Sequence, residues 1–237
     1  MAKREIVYKD HRFAIAYELE GEGIPCVVLH GWGSRKEIMQ QAFKNCKGLQ
    51  RLYIDLPGFG RSSNDLVLTT QDYANLIDKF LQAINFPKEI VVGHSFGGKV
   101  AVLLNPKLLV LLSSAGIPTQ KPLGVKAKIM LYKMLKPFGI MKLRNLFVSN
   151  DAKGMSENMY ETFKNVVDED FREVFAEFSG KSLLFWGEQD TATPLASGKE
   201  IEKLLHSTLH IFPEDHYFFL RHGKEICEAI RKTYEKL

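Results

Sequence analysis

Five short apolar runs constrain this chain more than anything else in it: Cys26–Leu29, Leu52–Ile54, Ile90–Val92, Leu108–Leu112 and Leu183–Trp186. None alternates apolar with polar residues, as a strand with one wet face does. Each fits a strand buried on both faces of a mostly parallel sheet. Ahead of them, Glu5–Tyr8 and Phe13–Leu19 do alternate, with Asp10 and His11 between, and predict an antiparallel hairpin. Helical spacing fills the gaps. Thr69-Thr70 offers an N-cap, and Leu76, Ile77, Phe80, Leu81 and Ile84 then recur on one face until Pro87. Further helices are predicted over 197–205 and 225–236. Strands alternating with helices behind a hairpin specify an α/β doubly wound fold, a mostly parallel central sheet flanked by helices.

At 237 residues the chain suits one such domain. The rhythm breaks once. From 119 to 180 no comparable strand run appears, so the core is expected from 1–118 and 181–237, with 119–180 a small helical cap over the carboxyl edge of the sheet. Ligands bind at that edge in open α/β sheets. The first half of the insertion carries Lys121, Lys126, Lys128, Lys133, Lys136, Lys142 and Arg144 with no acidic residue; Asp168, Glu169, Asp170, Glu173 and Glu177 make the second half acidic. The basic half reads first as a solvated helix face. The sharper readings are attraction of anionic substrates or contact with a membrane surface, of which membrane contact is the less expected.

A net charge of +4, without an arginine-rich run, gives no ground for a nucleic-acid partner. Cys26, Cys46 and Cys227 are odd in number and widely spaced, which predicts neither a disulfide framework nor a metal site. With no apolar leader at Met1–Glu5 and no apolar stretch of spanning length, the expectation is a cytoplasmic protein, monomeric or homodimeric, with no metal and no cofactor.

Gly93-His94-Ser95-Phe96-Gly97 directly follows the run Ile90–Val92 and precedes a helix start. A serine on such a sharp strand-to-helix turn projects its hydroxyl above the sheet, and glycines on either side remove Cβ clashes. The helix that follows aims its N-terminus at developing negative charge. After the first apolar run comes His30-Gly31-Trp32-Gly33, where flanking glycines let the backbone approach a substrate. The N–H groups of Trp32 and Phe96 are therefore the candidate oxyanion hole. His30 and His94 precede Ser95 and are expected to hydrogen-bond within their own loops.

A serine nucleophile needs a base, and the base an orienting carboxylate. Asp190, in the loop after Leu183–Trp186, is the favoured acid, with Glu188 as rival. Downstream lie His206, His210, His216 and His222. His210 falls inside a strand pattern and His206 at a helix end, whereas His216 follows Pro213-Glu214-Asp215 in the loop beyond the last strand, from where it reaches Ser95. His216 is the favoured base, ahead of His222.

His30–Gly33, Asp55-Leu56-Pro57-Gly58-Phe59-Gly60-Arg61-Ser62, Gly93–Gly98, Trp186-Gly187-Glu188-Gln189-Asp190 and His216 together resemble the α/β-hydrolase superfamily over nearly the whole chain. The region from Leu112-Ser113-Ser114-Ala115-Gly116 onward is similar to small bacterial hydrolases. The resemblance implies Ser95, Asp190 and His216 as a catalytic triad, a helical cap, and no cofactor. Serine rather than aspartate at the elbow separates the chain from haloalkane dehalogenases. One departure is the stretch Phe96–Lys107, which leaves room for only about two turns of helix behind the nucleophile.

The expected activity is hydrolysis of a carboxylic ester or related acyl bond. Carbon–carbon, lactone, thioester or N-terminal peptide hydrolysis on the same residues is the alternative, and a non-catalytic binding module on the same fold is another. The expected substrate is a small molecule with an apolar acyl or aromatic group. Met130, Met134, Phe138, Met159 and Phe163 are candidates to line its pocket or, equally, to form the core of the cap.

Overall fold

The structure is a computed structural model that describes residues 1–118 and 155–237. Eight strands form one sheet: β1 (Ala2–Tyr8), β2 (His11–Glu20), β3 (Ile24–Leu29), β4 (Leu49–Ile54), β5 (Ile90–His94), β6 (Leu108–Leu112), β7 (Lys181–Gly187) and β8 (Thr208–Phe212). Their order is β1-β2-β4-β3-β5-β6-β7-β8. The β1/β2 and β2/β4 pairs are antiparallel and every later pair is parallel. The hairpin turns through Lys9 and Asp10, both in the left-handed region (φ 49° and 61°), as a two-residue turn matched to strand twist requires.

The described helices are α1 (Lys36–Phe43), α2 (Thr70–Ala83), α3 (Phe96–Leu103), α4 (Glu157–Val166), α5 (Arg172–Glu177), α6 (Leu195–Leu205) and α7 (Phe219–Tyr234). They cover both faces of the sheet. Val27 and Leu29 point into one apolar cluster with α2, α3 and α6; Cys26 and Val28 point into the other with α1 and α7. The continuous apolar runs are thus explained, because every second residue meets a different helical layer.

Several boundaries moved. β4 begins three residues before the apolar run, and α7 starts at Phe219, six residues before its expected start. The expectation that Pro87 ends α2 is corrected. The helix stops at Ala83, and the chain leaves through Asn85 in the left-handed region (φ 53°). Asn85 N–H donates to Gln82 O and Phe86 N–H to Leu81 O, the paired bonds of a Schellman cap. Thr69 caps the other end as predicted, in a reciprocal box with Asp72. Helix α1 has no counterpart in the sequence reading. A charged residue, Lys36, fills one of its buried positions beside Asp55, so its apolar period is masked.

The cysteine reading is also corrected. The structure joins Cys46, just after α1, to Cys227 on α7, with Cα atoms 5.7 Å apart; Cys26 is the free, buried cysteine. Wide sequence spacing hid a pair that the two helices bring together, and cysteine usage no longer argues for a reducing compartment. Among the described residues, no helix is long and apolar enough to cross a membrane.

Candidate active site

The site is built at the carboxyl ends of β3, β5 and β7 and in the loop after β8. Ser95 stands between β5 and α3 with φ 51° and ψ −116°, a strained conformation for a residue with a side chain. The turn is clamped on both sides. Ser95 N–H donates to Leu112 O at the end of β6, and Ser95 O accepts from Gly98 and Ala115 N–H. A Cβ on Gly93 would lie 2.3 Å from Gly97 O, and one on Gly97 would lie 2.6 Å from His30 O, so only glycine fits either place. Helix α3 has eight residues, the two turns or so that the sequence allowed. It starts at Phe96, whose N–H is one of the first-turn donors that an α-helix leaves without an i−4 partner.

The loop after β3 lies against this turn. A Cβ on Gly31 would come within 3.1 Å of the Ser95 Cβ, which places the backbone of Gly31 and Trp32 beside the serine. His30 fixes the loop. Leu56 N–H donates to its Nε2 (3.0 Å), so Nδ1 carries the proton and donates to Gly31 O (2.8 Å). Burial lowers the pKa of His30 to about 4, which keeps the ring in that neutral form. Asp55, fully buried, accepts from Lys36 and Arg61 N–H and holds the Asp55–Ser62 turn in place. The Trp32 ring meets Phe59, Phe96 and Phe163 at centroid distances of 4.8, 5.3 and 5.4 Å.

Asp190 and His216 meet directly, Nδ1 to Oδ2 at 2.7 Å. The other oxygen of Asp190 accepts from Ala192 and Thr193 N–H at 2.8 and 2.9 Å, and the Thr193 hydroxyl lies 2.9 Å from Oδ2. Burial opposes ionisation of Asp190, yet the His216 hydrogen bond and these donors hold its pKa down to about 2. The aspartate is therefore charged at neutral pH, and His216 Nδ1 carries the proton of the pair. That leaves Nε2 of His216 as the acceptor.

The other candidates lie elsewhere. Glu188 is exposed. His222 pairs with Glu214 at 2.9 Å, His210 stacks on Phe185, and His206 is the left-handed C-cap of α6. His94 does not bond within its own loop, as the sequence suggested; its Nε2 reaches His216 O at 3.1 Å. Met159 is buried, with its sulfur accepting from Asn64 Nδ2 at 3.3 Å and packed close against Gly58, where an added Cβ would come 2.4 Å from it. Phe163 stands against Trp32. Met130, Met134 and Phe138 lie outside the described residues. The sequence reading missed Thr193. Its signal was present as a threonine three residues after Asp190, a spacing at which side chain and backbone close a local turn.

A sequence model described as the alpha/beta hydrolase family matches residues 26–229. This chain belongs to the alpha/beta hydrolase family. It is 24% identical to a pimeloyl-[acyl-carrier protein] methyl ester esterase of Vibrio campbellii, across 90% of this chain and 95% of that one. It is 28% identical to an uncharacterised hydrolase of Bacillus subtilis, across 68% and 74%. An esterase from Exiguobacterium antarcticum superposes with a TM-score of 0.76 at 23% identity, across 98% of both chains.

Proposed function

We propose that the protein is a serine hydrolase that cleaves a carboxylic ester of a small molecule with an apolar acyl or aromatic group, through Ser95, His216 and Asp190. The observation that carries this reading is the 2.7 Å Asp190–His216 bond set beside a serine in a strained, glycine-flanked turn. Ser95 Oγ attacks the carbonyl carbon as its proton passes to His216 Nε2. Asp190 keeps the imidazole oriented and stabilises the imidazolium. Negative charge gathers on the carbonyl oxygen, where the N–H groups of Trp32 and Phe96 stabilise it. Collapse breaks the bond to the alcohol, which leaves with the proton from His216. Water then repeats the sequence on the acyl-enzyme, releasing the acid and restoring Ser95.

Residues 119–180 are proposed as a cap, with α4 and α5 as the described part that docks it to the core. Lys99, buried on α3, binds Val166 O at the end of α4 and the Glu169 carboxylate at 2.8 Å, and Thr70 also bonds Glu169. The esterase named among the relatives supports an ester as the bond cleaved. No nucleic acid, metal or cofactor enters the reading.

The test is a fluorophosphonate probe on the purified protein and on Ser95→Ala, beside chromogenic esters of increasing acyl length. Labelling and turnover in the parent, both lost in a folded Ser95→Ala, are the expected result. Labelling that survives in Ser95→Ala would overturn the assignment.

A further inference from the structure

His94 is the residue before the serine, and it is 2% exposed. Its contacts belong to the opposite side of the site. Its ring lies 4.5 Å from that of His216 and 4.6 Å from Phe219 at the start of α7, with Tyr217 at 5.6 Å. Its Nε2 lies 3.1 Å from the main-chain oxygen of His216, 122 positions along the chain. A carbonyl only accepts, so Nε2–H is the donor and Nδ1 is bare. Nδ1 is buried and has no hydrogen-bond partner among the described residues; it faces Gly31, whose added Cβ would come 3.0 Å from it.

The loop bearing His216 is tied on its other side too. Glu188 N–H donates to Phe212 O and Gln189 N–H to Glu214 O, so β7 holds the chain entering the loop. From the β5 side, His94 supplies the hydrogen bond to His216 itself. The residue next to Ser95 in the elbow is thus bonded to the main chain of His216.

We propose that His94 is a positioning residue that fixes His216 through its Nε2–H bond to the His216 carbonyl, registering the base loop against the nucleophile turn. This rests on the reading of Ser95 and His216 given above. The bond needs a proton on Nε2, and the surroundings keep the ring in the neutral form that carries it there. A proton added at Nδ1 would have no acceptor, and burial together with the neighbouring His216 ring lowers the pKa of His94 well below the ordinary range, against the weaker opposing pull of Asp190. The groups that face it are His216, Tyr217 and Phe219 from the loop and α7, and Gly31 from the loop after β3.

The experiment compares His94→Phe, His94→Asn and His94→Gln with the parent on a short chromogenic ester. Glutamine carries a donor nitrogen the same number of bonds from Cβ as Nε2. Asparagine carries it one bond short, and phenylalanine keeps the ring but loses the donor. A base displaced by a fraction of an ångström should lower kcat by roughly tenfold to a hundredfold in the Phe and Asn variants with little change in KM, and Gln should recover most of it. Fluorophosphonate inactivation should slow in the same order. If the Phe variant does not fold, the Asn–Gln contrast still decides, with thermal melts checking that both are native. Equal kcat for Phe and parent, or for Asn and Gln, overturns the positioning role while leaving the triad reading intact. A parent that is neither labelled at Ser95 nor active overturns both.

Discussion

Asp190 has four contacts within 2.9 Å from three residues, and this crowding is what its proposed role needs, a carboxylate that stays ionised under a histidine. Replacing it by Asn would leave the shape but present an amide to Nδ1, which favours the wrong tautomer of His216. By analogy with serine proteases, kcat for Asp190→Asn should fall on the order of 10³–10⁴-fold. Glu188→Gln, at an exposed position two residues away, should change it by no more than about twofold. Steady-state kinetics on both variants checks the assignment, and a larger loss at Glu188 would reverse it. Cys26 offers no competing nucleophile, because burial pushes its thiol up to about 12.

Among the elements, α2 shows how local chemistry and tertiary contact combine. Asp72 closes the capping box with Thr69 and also binds Lys9 (2.7 Å) and Tyr8 (2.7 Å) from the hairpin. Burial works against its charge, yet the bonds from Lys9, Thr69 and Tyr8 lower its pKa from 3.8 to about 2. A carboxyl depressed in the folded state stabilises it fully above its unfolded pKa and loses that contribution as pH falls through the folded value. Asp72→Asn should therefore cost about 2 kcal/mol at pH 7, and the gap to the parent should narrow below about pH 4 and nearly close at pH 2. Urea denaturation at pH 7 and pH 2.5 measures it. A gap that is unchanged at pH 2.5 would mean that shape, not charge, carries the effect.

At the scale of the molecule, the Cys46–Cys227 bond closes a loop spanning 181 positions and ties α1 to the C-terminal helix. Chain entropy for so long a loop gives about 5 kcal/mol, of which disulfides commonly deliver 2–4 kcal/mol. Reductant should therefore lower Tm, and Cys46→Ala should match the reduced parent. Thiol titration in denaturant should find one cysteine of the three without reductant and all three with it. Three reactive thiols without reductant would show the pair to be open.

Much of this was written in the chain. Apolar runs with no polar alternation specified strands covered on both faces, and glycines at 93 and 97 specified a turn that no other residue fits. Those are local matters, settled by period, Cβ sterics and capping chemistry. The order Ser95, Asp190, His216 along the chain narrowed the proposed acid and base to a few candidates and favoured Asp190 over Glu188 and His216 over His222. Only the tertiary structure set Asp190 rather than Glu188 against His216, sent His94 across the site to the His216 carbonyl, buried Lys36 beside Asp55 and joined two cysteines that the sequence kept apart. Each of these is a contact between residues distant in sequence, so it depends on where the strands place their ends, and no spacing along the chain records that distance.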